Sequence, residues 1–154
     1  LERAAALAPG DSAIACALSG AYVAADDWAG ARRVLEQCGV LFALMGTGFT
    51  WDTQNFDADK AAAEALWEKV EGWLRDESID LVMLDELTYM ITYRYLDLER
   101  VMSALQGRPA HQHVIITGRQ CHRQLRELAD TVSDIDSVKH AFDAGIKVQK
   151  GIDY

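Results

Sequence analysis

The spacing of hydrophobic residues changes near Leu35. Upstream, the Ala-rich first 38 residues place Leu7, Leu18, Tyr22, Trp28 and Leu35 at helical intervals. Pro9-Gly10 ends one helix, Asp11 or Ser12 caps the next, and Asp27 caps a third over residues 28–37. Downstream, the pattern alternates between strand and helix. Residues 40–44 read as a short apolar strand. Residues 57–74 read as a helix, with Ala61, Ala65 or Leu66, Val70, Trp73 and Leu74 at three- and four-residue steps. Residues 79–84 are nearly all apolar, as expected of a strand covered on both faces. A helix over 96–105 carries Leu98, Val101, Met102 and Leu105 on one face and stops at Gly107-Arg108-Pro109. A second buried strand spans 113–117, a helix 121–129 and a short last strand 131–133. Strand, helix, strand with buried strands implies parallel pairing through right-handed crossovers. The expected fold class is α/β, a parallel sheet with flanking helices preceded by an α-helical hairpin. Functional loops then fall at the carboxyl ends of the strands.

The first segment also fits a helical-hairpin repeat. Leu1-Glu2 recurs as Leu35-Glu36, 34 positions later. Leu18, Ser19, Tyr22 and Ala31 fall where a tetratricopeptide repeat of about 34 residues places large, small, aromatic and small contacts. The segment resembles the tail of one such repeat and most of another; a plain helical hairpin is the alternative. Repeats bury their faces on neighbours, which points to a protein partner for these helices or to docking on the downstream α/β segment. The expected division is a hairpin over 1–38 and an α/β domain over 39–154.

Composition narrows the partners. A net charge of −9, from 15 basic and 24 acidic residues, argues against a nucleic acid that needs a basic face. A nucleotide remains compatible, because a few oriented N–H groups hold phosphate in an acidic protein. Cys16, Cys38 and Cys121 form no zinc pattern, and free thiols in the cytoplasm are the expectation. No apolar run approaches the roughly 18 residues of a membrane span, and no signal peptide is visible. A chain that begins at Leu1 instead of Met reads as a fragment.

Three places carry candidate chemistry. In residues 45–55, Gly46 and Gly48 bracket Thr47, and Phe49 and Trp51 alternate across Thr50. Glycines let a backbone pass close to a large flat object and aromatics give it an apolar face, so the loop reads as ligand-facing. Two core aromatics pinning the loop are the alternative. Asp85-Glu86 ends an apolar strand, where carboxylates hold magnesium or cap the following helix. Arg119 follows Thr117-Gly118 at the end of the next strand, suited either to a phosphate or to an ion pair with Asp85 or Glu86. His111, His113, His122 and His140 lack metal-ligand spacing and read as structural or solvent-facing. Lys139, Lys147 and Lys150 read as surface lysines, and no Ser-His-Asp or Cys-His arrangement has supporting context.

Taken together, segments 45–55, 81–89, 114–119, 128–133 and 139–154 closely resemble the ATP:corrinoid adenosyltransferases, in particular their phosphate-loop class. The likeness runs over about residues 35–154. It implies a P-loop NTPase-like sheet and a reaction in which a reduced corrinoid attacks the 5′ carbon of ATP, with Mg2+ present. By resemblance, Phe49 and Trp51 crowd the lower corrin face, and Gly46, Thr47 and Gly48 shape the corrin-facing turn. Glu86, with Asp85 beside it, matches the magnesium carboxylate, and Arg119 matches a phosphate-side arginine. The family's Gly-x-Gly-Lys-Gly-Lys-Thr-Thr-type loop and its first strand have no counterpart in residues 1–44. The sheet edge this leaves invites pairing with another chain, a homodimer included. A catalytically inactive fusion that binds a protein or a corrinoid is the competing expectation.

Overall fold

The computed structural model describes residues 28–44 and 55–147. By contacts the chain forms two compact units, Leu1–Ala43 with Asp134–Tyr154, and Leu44–Ser133.

In the first unit, α1 spans Trp28–Gln37, as its spacing predicts. Arg32 Nε donates to Glu36 Oε1 at 2.7 Å, one turn apart on an exposed face. Gly39, with φ of 75°, ends the helix in the left-handed region that glycine adopts without strain. Residues 40–44 form no strand: they have no regular structure, and Val40, Leu41 and Leu44 are exposed. An apolar run needs a pairing neighbour to become a strand, and none is present for it among the described residues. Toward the other end, a single 3-10 turn, Phe142–Ala144, closes on Gly145. Residues 131–147 are all exposed, so the strand expected over 131–133 is absent too.

The second unit holds the core. α2, Phe56–Arg75, starts where Asn55 Oδ1 accepts from Ala58 N–H at 3.2 Å, with Asp57 and Asp59 in its first turn and Arg75 in its last. Its buried stripe is Ala63, Trp67, Val70 and Leu74; Ala61, expected inward, faces outward, and of the pair Ala65 or Leu66 it is Leu66 that is half-buried. Of the helix's two tryptophans, Trp67 is fully buried within this stripe and Trp73 packs partly buried against the cluster. β1, Leu81–Leu84, pairs in parallel with β2, His113–Ile116, in the register Leu81 to His113 through Leu84 to Ile116. Between them lie α3, Leu87–Thr92, which the apolar spacing did not predict, and α4, Leu98–Gln106, capped by Asp97 through Arg100 N–H at 2.9 Å. α5, Arg123–Leu128, follows β2.

The sheet departs from expectation on one face. Val82, Leu84, Val114 and Ile116 pack into the cluster of Trp67, Leu74, Leu87, Val101, Leu105 and Leu125. On the other side Leu81 is 54 %, Met83 62 % and Ile115 46 % exposed. Among the described residues of this unit the two strands are therefore not buried on both faces, since the helices packed on them share one side. Gln112 is buried and its Nε2 donates to the carbonyls of Trp73 and Ile79, both at 3.0 Å, clamping the end of α2 to the approach to β1. No helix among the described residues is long and apolar enough to cross a membrane.

Candidate functional site

The carboxyl ends of β1 and β2 meet in a web centred on Thr117. Thr117 N–H donates to Leu84 O at 3.1 Å, extending the ladder by one step. Its hydroxyl accepts from Glu86 N–H at 2.9 Å and donates to Asp85 Oδ1 in a short hydrogen bond. Asp85 is thus held by its neighbour strand. Glu86 stands at the start of α3 with φ of 55° and no side-chain capping bond. Among the described residues its exposed carboxylate has no hydrogen-bond or ion-pair partner. Helix capping, the alternative for this pair, does not occupy it.

Thr88, in the first turn of α3, donates its hydroxyl to Arg119 O at 2.7 Å. Between Thr117 and Arg119, Gly118 adopts φ of 134°, and a Cβ there would lie 2.0 Å from Thr88 Oγ1. Only glycine lets the second strand's end pass this close to α3. Arg119 is exposed and pairs with neither Asp85 nor Glu86. The structure therefore brings Asp85, Glu86 and Arg119 to one edge while leaving, among the described residues, one carboxylate and one guanidinium unspent. Thr88 and Thr117 were not among the residues the sequence singled out; for Thr117 a threonine at a strand end beside glycine was the available signal.

Two exposed carboxylates fit magnesium's preference for few protein oxygens, the rest of its shell coming from water and phosphate. No group of three or more His, Cys, Asp or Glu able to hold a metal occurs among the described residues. The histidines behave as expected: His122 Nδ1 accepts from Gln124 N–H at 3.3 Å, His140 Nδ1 from Phe142 N–H at 3.1 Å, and His111 contacts Glu77 O at 3.1 Å. Lys139 and Lys147 are exposed, as are the free thiols of Cys38 and Cys121. Gly46, Thr47, Gly48, Phe49 and Trp51, together with Lys150 and Cys16, lie outside the described residues, as does most of the segment read as a repeat.

Two parallel strands with helices packed against them define an α/β protein, with acidic and basic groups at the strands' carboxyl ends. The chain belongs to the ATP:corrinoid adenosyltransferase family. The family model described as ATP:corrinoid adenosyltransferase BtuR/CobO/CobP matches residues 20–154. The chain is 60% identical over 125 residues to the corrinoid adenosyltransferase CobA of Salmonella typhimurium, covering 81% of this chain and 64% of that protein. It is 59% identical over 125 residues to the corrinoid adenosyltransferase of Escherichia coli K12, with the same coverage. Against that of Pseudomonas aeruginosa it is 48% identical over 123 residues, 80% of this chain and 60% of the relative. The chain thus spans less than two thirds of the length of these curated relatives.

Proposed function

We propose that this chain acts in transferring the 5′-deoxyadenosyl group of ATP to the cobalt of a reduced corrinoid. Family membership carries the reading, supported by the unspent Glu86 carboxylate and Arg119 guanidinium at one sheet edge. In the reaction, the cobalt electron pair attacks the 5′ carbon, a cobalt–carbon bond forms, and the carbon–oxygen bond to triphosphate breaks. Triphosphate leaves with both electrons of that bond.

Glu86 would hold Mg2+, with Asp85 fixed by Thr117 as the second nearby carboxylate. The ion's chemistry would be neutralisation of phosphate charge. Arg119 would donate to a terminal phosphate through its planar fork. Phe49 and Trp51 are assigned to the lower corrin face, where an apolar wedge disfavours a water ligand on cobalt. Gly46, Thr47 and Gly48 give that loop its close approach. The P-loop NTPase-like character of the sheet, the division at residues 38–39, a homodimer, a partner for the N-terminal helices and a cytoplasmic location belong to the same reading.

The test mixes the purified chain with ATP, Mg2+ and chemically reduced cobalamin and follows the light-sensitive alkylcobalt product. Product formation that Glu86→Gln and Trp51→Ala both depress is expected. Absence of product above the protein-free background overturns the transfer reading for this chain.

A further inference from the structure

Beyond their last paired residues, β1 and β2 reach across to each other through one threonine on each side. From the β2 side, Thr117 uses its hydroxyl twice, accepting from Glu86 N–H at 2.9 Å and donating to Asp85 Oδ1. From the β1 side, Thr88 donates its hydroxyl to Arg119 O at 2.7 Å. The two bonds act on different charges. That of Thr117 engages one carboxylate oxygen of Asp85 and the main chain of Glu86, so it orients the acidic pair. That of Thr88 engages only the main chain of Arg119, so it sets the point from which the guanidinium extends.

Both segments run through backbone that needs holding. Glu86 has φ of 55°, and so does Gln120, the residue after Arg119. Non-glycine residues keep such left-handed conformations only where their surroundings enforce them. Thr88 is 3 % exposed, and a hydrogen bond is stronger in such an interior than in water. The charged ends are treated in the opposite way. The Glu86 carboxylate and the Arg119 guanidinium are exposed and have no hydrogen-bond or ion-pair partner among the described residues. Fixed main chain beneath open charged ends holds a site in its working geometry before a ligand arrives.

We propose that Thr117 and Thr88 are positioning residues with separate duties: Thr117 sets the acidic pair for a divalent cation, and Thr88 sets Arg119 for a phosphate chain. The inference rests on the transfer reading for the roles of Glu86 and Arg119. Serine and alanine differ here by the hydroxyl alone, so Thr117→Ser, Thr117→Ala, Thr88→Ser and Thr88→Ala in the full chain separate bonding from packing. Mn2+ binding is followed without nucleotide by the paramagnetic resonance signal of the free ion. Binding of inorganic tripolyphosphate is followed without metal by calorimetry. Thr117→Ala is expected to weaken Mn2+ by about tenfold and to leave tripolyphosphate close to its parental affinity. Thr88→Ala is expected to weaken tripolyphosphate by about threefold to tenfold and to leave Mn2+ close to the parent. Both serine variants should bind both probes as the parent does. General loosening weakens both probes together, so it cannot produce the crossed pattern. An alanine variant that leaves its matched probe at parental affinity, or weakens both probes alike, overturns that threonine's role and leaves the transfer reading standing. A parent chain that fails to bind Mn2+ or tripolyphosphate overturns the assignment of Glu86 or Arg119 respectively, together with the role of the threonine behind it.

Discussion

At the scale of single residues, the tightest constraint is Gly118. Its positive φ, and the 2.0 Å that would separate a Cβ at this position from Thr88 Oγ1, leave no room for any side chain. Gly118→Ala should cost at least about 2 kcal/mol in chemical denaturation, from backbone strain plus overpacking. Adding Thr88→Ala should recover part of that loss, giving a non-additive pair. A Gly118→Ala protein as stable as the parent would rule out the close approach. The second residue-scale feature is Glu71 with Arg100, joined by two hydrogen bonds of 2.7 and 3.1 Å. The Arg100 guanidinium, by hydrogen bonding first and charge second, holds the Glu71 carboxyl below its ordinary value of 4.5. A carboxylate whose pKa is depressed on folding stabilises above its unfolded pKa, and that stabilisation is lost as pH falls through the folded one. Arg100→Gln should therefore cost about 1 kcal/mol at neutral pH. The gap between the two denaturation curves should stay constant down to about pH 4.5 and narrow below it. A gap that widens in acid would refute the pairing.

At the scale of elements, β1 illustrates what the apolar pattern alone conceals. The run from Ile79 to Leu84 looks uniformly buried, yet Val82 is 5 % exposed and Met83 62 %. Val82→Ala should cost about 1–3 kcal/mol, the usual cost of removing buried methyl groups. Met83→Ala should fall within about 0.5 kcal/mol of the parent. Urea midpoints of the two variants decide it, and equal losses would mean that both faces are covered. The same local logic explains why α2 and α4 were readable and α3 was not. α2 has a capping asparagine, acidic residues at its start and a long apolar period. α3 is six residues long, and its stretch is too short to show a period. Tyr89 and Tyr93 stack there with ring centroids 5.6 Å apart, and Tyr93 reaches Tyr95 at 6.0 Å, contacts that depend on the bend after the helix.

At the scale of the whole molecule, the core cluster draws its residues from Ala63 to Leu128. Residues 131–147 are exposed throughout. Ending the chain after Ser133 removes no residue of this cluster, so the second unit should keep a cooperative melt within a few degrees of the parent. A collapse of the transition would place hidden packing in the removed segment. That segment nevertheless lies within the family match, which runs to residue 154.

The amino-acid sequence by itself determined the family, the α/β class, the parallel pairing of the two main strands, and Asp85, Glu86 and Arg119 as the groups at their ends. These follow from local rules: apolar period, capping chemistry and short motifs act within a few residues of one another. Only the tertiary structure decided that one sheet face is open, that residues 40–44 and 131–133 are not strands, and that α2 turns Trp67 inward. It alone placed Thr117 between Asp85 and Glu86 and brought Thr88 against Gly118. Each of these outcomes depends on which distant segment supplies a neighbour, and a strand, a buried face or a hydroxyl's partner exists only once that neighbour is in place.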